Sequence, residues 1–282
     1  MVENRPWLTF TRHAVLSFGV LLVLFPVWIA FVASTHEGSA LMRGVMPLWP
    51  GDRLIENYRT ILTDGMRQAG GVPVALMMLN SLIMALAIAI GKIAISLISA
   101  FAVVYFRFPF RMLCFWIIFI TLMLPVEVRI LPTFEVVANL GMLNSYAGLS
   151  IPLIASATAT FLFRQFFLTV PDELTEAARM DGASPFRFFK DILLPLSRTN
   201  IAAIFVIMFI YGWNQYLWPL LVTTDASYTT IVMGIQRMIN VADTQPQWHL
   251  AMATATLALA PPVIIVVVMQ RLFVKGLVET EK

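Results

Sequence analysis

Uncharged apolar runs of about 20 residues or more recur along the chain and constrain its fold more than any other feature. A helix of that length crosses the roughly 30 Å hydrocarbon core of a bilayer, whereas a barrel strand needs only about 10 residues of alternating pattern. Charged residues make up 12% of the sequence and hydrophobic residues 59%, against about 25% charged in soluble domains. The sequence therefore predicts an all-α, polytopic integral membrane protein.

The apolar runs predict six transmembrane helices in one domain that covers residues 1–282. The predicted spans are about 14–34, 73–106, 112–130, 149–167, 199–222 and 250–272. The second run is interrupted only by Lys92, and Gly91-Lys92 offers no room for a loop. We therefore expect one long helix there that projects beyond the bilayer.

The distribution of basic residues predicts the orientation. The side of the membrane on which six spans place the termini holds 12 of the 19 basic residues, counting those near the ends of the spans, and the opposite side holds 5. Since cytoplasmic loops collect Lys and Arg, both termini are predicted to be cytoplasmic. The net charge of +3 follows from this bias, and we expect no nucleic-acid partner. The remaining two basic residues, Lys92 and Arg129, lie at membrane depth.

A hydrophilic island at residues 170–196, on the predicted cytoplasmic side, holds most of the charge between two long apolar runs. Thr169, followed three residues later by Asp172, is a helix-start signal. Gly182 is a natural helix stop, and Ser184-Pro185 opens a second short helix. The island is thus predicted to contain two helices separated by Gly182.

The first of these helices has a narrow face of small and apolar side chains, Leu174, Ala177 and Ala178, which follow helical spacing. Acidic and basic residues flank this face. Two interpretations are open from periodicity alone: an amphipathic loop helix that lies on lipid headgroups, or a helix that docks closely against another protein.

The island also fits a longer pattern: Glu-Ala-Ala, three residues, Gly, nine residues, Ile, one residue, Leu-Pro. The matching residues are Glu176, Ala177, Ala178, Gly182, Ile192, Leu194 and Pro195. Seven fixed positions match by chance in roughly one window in 10⁸ at ordinary residue usage. With this pattern the chain resembles the permease subunits of binding-protein-dependent ABC importers.

The resemblance covers nearly the whole chain and is closest to the carbohydrate-uptake branch, which includes maltose-type importers. It rests further on the stretches LNSLIMALAIAIGKIAISLISAFAVVYFRFPFR, LGMLNSYAGL, FLFRQFFLTVPDEL and GWNQYLWPLLV. Within that branch the chain most resembles permeases of sn-glycerol-3-phosphate importers. The resemblance implies a type I importer transmembrane domain in a bacterial inner membrane.

The resemblance also implies the role of the island, which in that family docks on the ATPase. The residues carried over to this coupling role are Glu176, Ala177, Ala178, Asp181 and Gly182. Glu176 and Asp181 either pair with basic groups on the ATPase or are solvated.

The partners that the resemblance implies are a second homologous permease, an ATPase dimer, a periplasmic solute-binding protein and membrane lipid. The chain contains no G-x-x-x-x-G-K-[ST] phosphate loop. We therefore expect no cofactor in this chain, with ATP and Mg²⁺ bound by the ATPase, and a non-catalytic role for the chain itself.

Substrate contacts are expected at polar residues within the spans. Arg129, between Pro125 and Pro132, would attract a phosphorylated solute at a broken helix, or would pair with neighbouring chains at the external interface. Lys92 is interpreted as snorkelling or paired.

A second set of candidate substrate contacts, Trp213, Asn214 and Gln215, falls within one turn of the fifth span. These side chains suit a polyol, or serve as contacts between helices.

Other classes of protein fit less well. An ATP-independent secondary transporter would be indicated by inverted repeats and intramembrane carboxylates, which we do not find. A membrane enzyme would need a polar catalytic cluster. Cys114 is the single cysteine and the three histidines are far apart in sequence, so no metal site is expected. A sugar or oligosaccharide remains an alternative substrate.

Overall fold

The computed structural model describes residues 6–42, 46–66, 70–120, 124, 126–240 and 245–279, and every regular element within them is helical. The predicted all-α class is confirmed. The α-helices in chain order are α1 (Pro6–Ser34), α2 (Gly38–Leu41), α3 (Leu54–Thr63), α4 (Val74–Tyr105), α5 (Arg111–Ile120), α6 (Val126–Asn139), α7 (Tyr146–Ser150), α8 (Ala157–Phe167), α9 (Asp172–Met180), α10 (Pro185–Phe188), α11 (Leu194–Leu196), α12 (Arg198–Trp213), α13 (Leu217–Val222), α14 (Ile231–Ile239) and α15 (Trp248–Glu279).

Three of these helices, α1, α4 and α15, are long and apolar enough to cross a membrane singly. Two further candidates are bent pairs: 146–153 with α8, bent by 48°, and 185–196 with α12, bent by 73°. The shorter apolar helix α5 begins the stretch that was predicted as the third span.

The helix bounds differ from the predicted spans at several places. α1 begins at Pro6, ahead of the predicted start near residue 14, and the fourth predicted span is interrupted between Leu153 and Ala157. α6 continues to Asn139, past the predicted end of the third span near residue 130, and Pro132 lies inside it. The fifth predicted span is not one helix, because α12 ends at Trp213 and α13 begins at Leu217. α15 runs on to Glu279, past the predicted end of the sixth span near residue 272.

The backbone separates into two compact units. The first comprises residues 1–76 and 234–260. In it, the polar stretch after α1 contains the amphipathic helix α3, whose Asn57 and Ile61 are buried. The Asn57 amide donates to the carbonyls of Ser34, at 2.8 Å, and His36, at 2.9 Å. Asn57 thereby satisfies carbonyl groups at the end of α1 that have no partner within the helix.

The second unit comprises residues 77–233 and 261–282. In this unit α4 and α12 approach very closely at Gly212. A Cβ placed on Gly212 would lie 2.9 Å from the Cα of Ala85, a backbone atom that cannot rotate away. Small residues at such a crossing let two membrane helices pack backbone against backbone.

Replacing Gly212 with valine is expected to destabilise the permease fold by about 1–3 kcal/mol, because the added carbons overpack the crossing with α4. The thermal midpoint of the detergent-solubilised protein, followed by size-exclusion chromatography, should fall. Gly19→Val is the matched control, since nothing lies within 4 Å of a Cβ at Gly19. Equal midpoints for the two variants would contradict the close packing.

A loop of the second unit, residues 223–230, is fixed to the helices by side-chain amides. The Asn80 amide donates to the carbonyls of Ser227, at 2.7 Å, and Thr229, at 2.9 Å. The side-chain oxygen of Asn144, Oδ1, accepts hydrogen bonds from the backbone N–H groups of Thr224 and Asp225. Hydrogen bonds from Ser227 hold the pKa of the Asp225 carboxyl below its ordinary value. The loop therefore has a defined conformation.

Candidate functional site

Two adjoining cavities in the second unit share the residues Lys92, Arg129, Ala155 and Tyr211. Their volumes are about 110 Å³ and 610 Å³. We call them together the cationic cavity. Lys92 and Arg129 bring two positive charges to it, so the chemistry of its wall favours an anion.

Two interruptions between helices line this cavity, one in the bent pair that contains α8 and one between α12 and α13. Pro152, Leu153 and Ala155 come from the break before α8, and Gln215 and Leu217 come from the break between α12 and α13. Non-helical backbone at membrane depth is tolerated where it lines a cavity. Discontinuous helices of this kind form the solute sites of many transporters.

Local sequence explains both breaks. Ser156 accepts a hydrogen bond from the Ala159 N–H at 3.3 Å and so starts α8 as its N-cap. Pro219 lies in the first turn of α13, where its missing N–H leaves no helical hydrogen bond unmade. Each break is thus a helix restart with a favourable first turn.

The side chain of Lys92 is directed into the cavity wall. Lys92 is only 6% exposed, and its Nζ lies 3.8 Å from the ring centroid of Tyr211. Gly91 permits this arrangement, since a Cβ there would lie 2.7 Å from the Ile154 side chain. Among the described residues Lys92 forms no ion pair. The structure therefore places Lys92 at a cavity, a location that the sequence interpretation did not anticipate.

Arg129 lies in α6 and is exposed. A helix break was predicted at the prolines on both sides of Arg129. Pro132 lies inside α6, whereas Pro125 and the Glu127 side chain lie outside the described residues. The Thr133 hydroxyl donates to the Arg129 carbonyl at 2.7 Å. The expectation of a break at Pro132 is wrong, because the helix continues through it.

The structure separates the three candidates around the fifth span. Trp213 is 2% exposed and stacks on Phe209 at 5.9 Å between centroids. Asn214 is exposed and caps the end of α12. Gln215 lines the cavity, and its amide donates to the Tyr211 carbonyl at 3.0 Å. The expectation of one continuous turn is wrong, since the helix ends at Trp213.

The hydrophilic island forms the two predicted short helices. α9 ends in a Schellman motif: the Ala183 N–H donates to the Ala178 carbonyl at 2.9 Å, and the Gly182 N–H to the Arg179 carbonyl at 3.1 Å. Gly182 has φ +70°, which glycine adopts without strain. Ser184 caps α10 by accepting from the Arg187 N–H at 3.3 Å.

The start of α9 differs from the prediction. The residue before the helix is Pro171, and it makes no side-chain cap. The Thr169 hydroxyl instead donates back to the Phe166 carbonyl at 2.7 Å. Thr169 is therefore not the N-cap, because its hydroxyl is used by the end of α8.

Aromatic contacts hold the island against the end of α4. The Phe188 ring lies 5.3 Å from Tyr105, and the Phe189 ring lies 4.9 Å from Phe101. Ala178 is buried on the same side, at 6% exposure. These contacts fix which side of the island faces outward.

The outward side of the island carries large apolar side chains. Met180 is 83% exposed and Phe186 is 72% exposed, and Leu174 is also exposed. Ala177 and Glu176 are exposed beside them. We call Leu174, Met180 and Phe186 the apolar anchors. Met180 and Phe186 were missed at the sequence level: Met180, three residues after Ala177, was left out of the predicted face, and α10 is too short to show a periodic pattern around Phe186.

The charged residues of the island are mostly unpaired with one another. Arg187 and Asp191 form an exposed ion pair of 3.5 Å within it. Glu176 and Asp181 are exposed, and neither forms an ion pair within the described ranges. Both carboxylates are therefore available to a partner. No cluster of three or more His, Cys, Asp or Glu that could hold a metal ion occurs among the residues the structure describes.

Comparison with known families decides the class of protein. Residues 92–279 match the sequence profile of the binding-protein-dependent transport system inner membrane component. The chain belongs to this family. The permease is accordingly a multi-pass inner-membrane component of an ABC transporter and is not an enzyme.

Full-length relatives agree with that assignment. The permease is 59% identical over 282 residues to the sn-glycerol-3-phosphate transport system permease protein UgpE of Brucella melitensis, covering 100% of both chains. The proteins of that name from Agrobacterium fabrum and Salmonella typhi are 60% and 61% identical over the same length and coverage. The predicted resemblance to ABC importer permeases is confirmed.

The fold agrees as well. A crystal structure of a bacterial ABC transporter involved in the import of the acidic polysaccharide alginate superposes with a TM-score of 0.80 at 21% identity. The match covers 96% of the permease and 98% of that chain. The permease thus has the fold of an ABC transporter membrane domain.

Proposed function

We propose that the permease forms half of the translocation pathway of an importer for sn-glycerol-3-phosphate or glycerophosphodiesters. The observation that carries the proposal is the cationic cavity, which Lys92 and Arg129 line without a carboxylate among its lining residues, at a depth that the predicted spans place within the membrane. A charged side chain in that position is costly unless a ligand or a function uses it. The names of the full-length relatives support the same anionic solute.

The proposal assigns distinct roles to the candidate residues. Arg129 attracts the phosphate group, and Gln215, the one member of the fifth-span set that lines the cavity, contacts the glycerol hydroxyls. Trp213 packs in the core, and Asn214 ends α12. The glycerol moiety thus faces the amide, and the phosphate faces the cations.

The proposed complex contains this permease, a second homologous permease, two ATPase subunits and a solute-binding protein. The apolar anchors, together with Glu176, Ala177 and Asp181, form the surface that contacts the ATPase, and Ala178 and Gly182 set its shape. Both termini then lie in the cytoplasm, and the fixed loop 223–230 faces the binding protein. ATP and Mg²⁺ are bound by the ATPase.

α1 is almost entirely exposed, with 6% of its apolar window buried. Lipid and the second permease are the proposed neighbours of this helix, since an apolar surface of its length is not left in water.

Uptake by the reconstituted complex tests the function. Proteoliposomes that contain the permease, its partner permease and the ATPase, supplied with the purified binding protein, should take up sn-glycerol-3-phosphate in an ATP-dependent and vanadate-sensitive manner. Maltose uptake provides the comparison. Preferential uptake of maltose would replace the proposed solute by a sugar, and uptake that persists with vanadate would contradict an ATP-driven importer.

A further inference from the structure

Lys92 occupies a position that an inert structural lysine would not favour. The residue as a whole is 6% exposed, and the described partner of its ammonium group is the face of the Tyr211 ring. A cation over a ring retains only part of the stabilisation that water or a carboxylate provides. The Lys92 charge is therefore poorly compensated in this structure.

A second source of positive potential lies in the same cavity. The larger cavity is lined by Ser156, Ala157 and Thr158, the first residues of α8. The Ser156 hydroxyl oxygen accepts a hydrogen bond from the Ala159 N–H. The N–H groups of Ala157 and Thr158 have no acceptor among the described residues. The start of an 11-residue helix, with free N–H groups, attracts anions.

The packing holds Lys92 close to this helix start. Ser96 lies one turn after Lys92 on the same face of α4, and its hydroxyl donates to the Ser156 carbonyl at 3.3 Å. The Thr160 hydroxyl donates to the Ser96 oxygen at 3.2 Å. On the other side of Lys92, Gly91 leaves room for the side chain of Ile154, which lies in the break before α8. The relative positions of α4 and α8 are thus fixed on both sides of Lys92.

The smaller cavity is also lined by Gln215 and Thr133, which can hydrogen-bond to hydroxyl groups. A solute in the two cavities would therefore meet two cations, the start of α8 and neutral polar groups. That combination suits a small polyol with a terminal phosphate.

We propose that Lys92, together with the N-terminus of α8, is a phosphate-recognising element that makes the pathway select phosphomonoester dianions over phosphodiester monoanions. The inference rests on the proposed function, whose phosphate contact is Arg129. A phosphomonoester carries a charge of about −1.5 to −2 near pH 7 and has three free oxygens. A phosphodiester carries a single negative charge and has two free oxygens. The second cation therefore has its largest effect on the monoester.

The test compares two solutes in the reconstituted complex with its binding protein. Lys92→Met keeps the length of the side chain and removes its charge. It should lower the rate of sn-glycerol-3-phosphate uptake about tenfold to hundredfold, the effect of losing one hydrogen bond to a charged group. Uptake of glycerophosphoglycerol, a phosphodiester, should fall about threefold or less. Lys92→Arg should retain most of the monoester uptake.

Ser99→Ala is the matched control, since Ser99 is a polar residue of α4 that lines the same cavity without charge. It should leave the ratio of the two uptake rates unchanged. ATP hydrolysis stimulated by the binding protein reports that each variant is assembled. If Lys92→Met does not assemble, Lys92→Gln takes its place.

An equal loss for both solutes, or no loss in the assembled variant, would overturn the role of Lys92 and leave the proposed function standing. Failure of the wild-type complex to take up either phosphate ester would overturn the proposed function itself, and the inference with it.

Discussion

Replacing Met180 and Phe186 together with serine is expected to release the ATPase subunits from the purified complex while the permease stays folded in the membrane. Both side chains are more than two-thirds exposed, at 83% and 72%, so the fold loses little when they are removed. Burying a methionine or phenylalanine side chain in an interface contributes about 1.5 kcal/mol, so the two together contribute about 3 kcal/mol. ATPase affinity should fall on the order of a hundredfold, as measured by co-purification at graded ATPase concentrations.

The control for this prediction is Trp49→Ser. Trp49 is 78% exposed and lies in the loop that follows α1, on the proposed external side. That change should leave co-purification intact. Removing the Arg187–Asp191 ion pair with Asp191→Asn should also leave it intact, because exposed ion pairs contribute little. Undiminished ATPase binding by the double serine variant would show that the apolar anchors face lipid.

Replacing Arg129 with glutamine is expected to have the largest effect on transport. Loss of a charge that contacts phosphate removes about 2 kcal/mol or more, which lowers uptake of sn-glycerol-3-phosphate at least thirtyfold. ATPase binding should be unchanged, since α6 contains none of the apolar anchors. Uptake at several solute concentrations separates an effect on KM from one on the maximal rate.

Arg53→Gln serves as the comparison for Arg129. Arg53 lies on the surface, where its guanidinium pairs with Glu56, and it does not line the cationic cavity. Uptake by this variant should be close to that of the wild type. Wild-type rates for Arg129→Gln as well would assign Arg129 to a structural role.

The hydrophilic island shows how much local sequence can predict. Gly182 and Ser184-Pro185 act through their own backbone and hydrogen bonds, so their effect does not depend on distant residues. The helix stop and the second start were therefore predictable. The hydroxyl of Thr169 could bond either forward to the start of α9 or back to the end of α8. Its bond to the Phe166 carbonyl was therefore not predictable.

The helix breaks and the cationic cavity depend on tertiary structure. A break of three residues at Asn214 leaves a run of 24 residues looking continuous, because apolar composition does not record where hydrogen bonds are interrupted. Lys92 and Arg129 are 37 residues apart, and only the packing of α4 and α6 places them at one cavity. The short helices α3 and α14 were not predicted, since each lies between two predicted spans.

The 73° bend before α12 has a mechanical consequence. Its corner is Ser197, which is completely buried and whose hydroxyl donates to the Leu193 carbonyl at 2.6 Å. Residues 185–196 form an arm of about 18 Å at 1.5 Å per residue. A rotation of about 10° around that corner displaces the far end of the arm by about 3 Å. The length of this short helical segment thus sets how far its end would move for a given rotation.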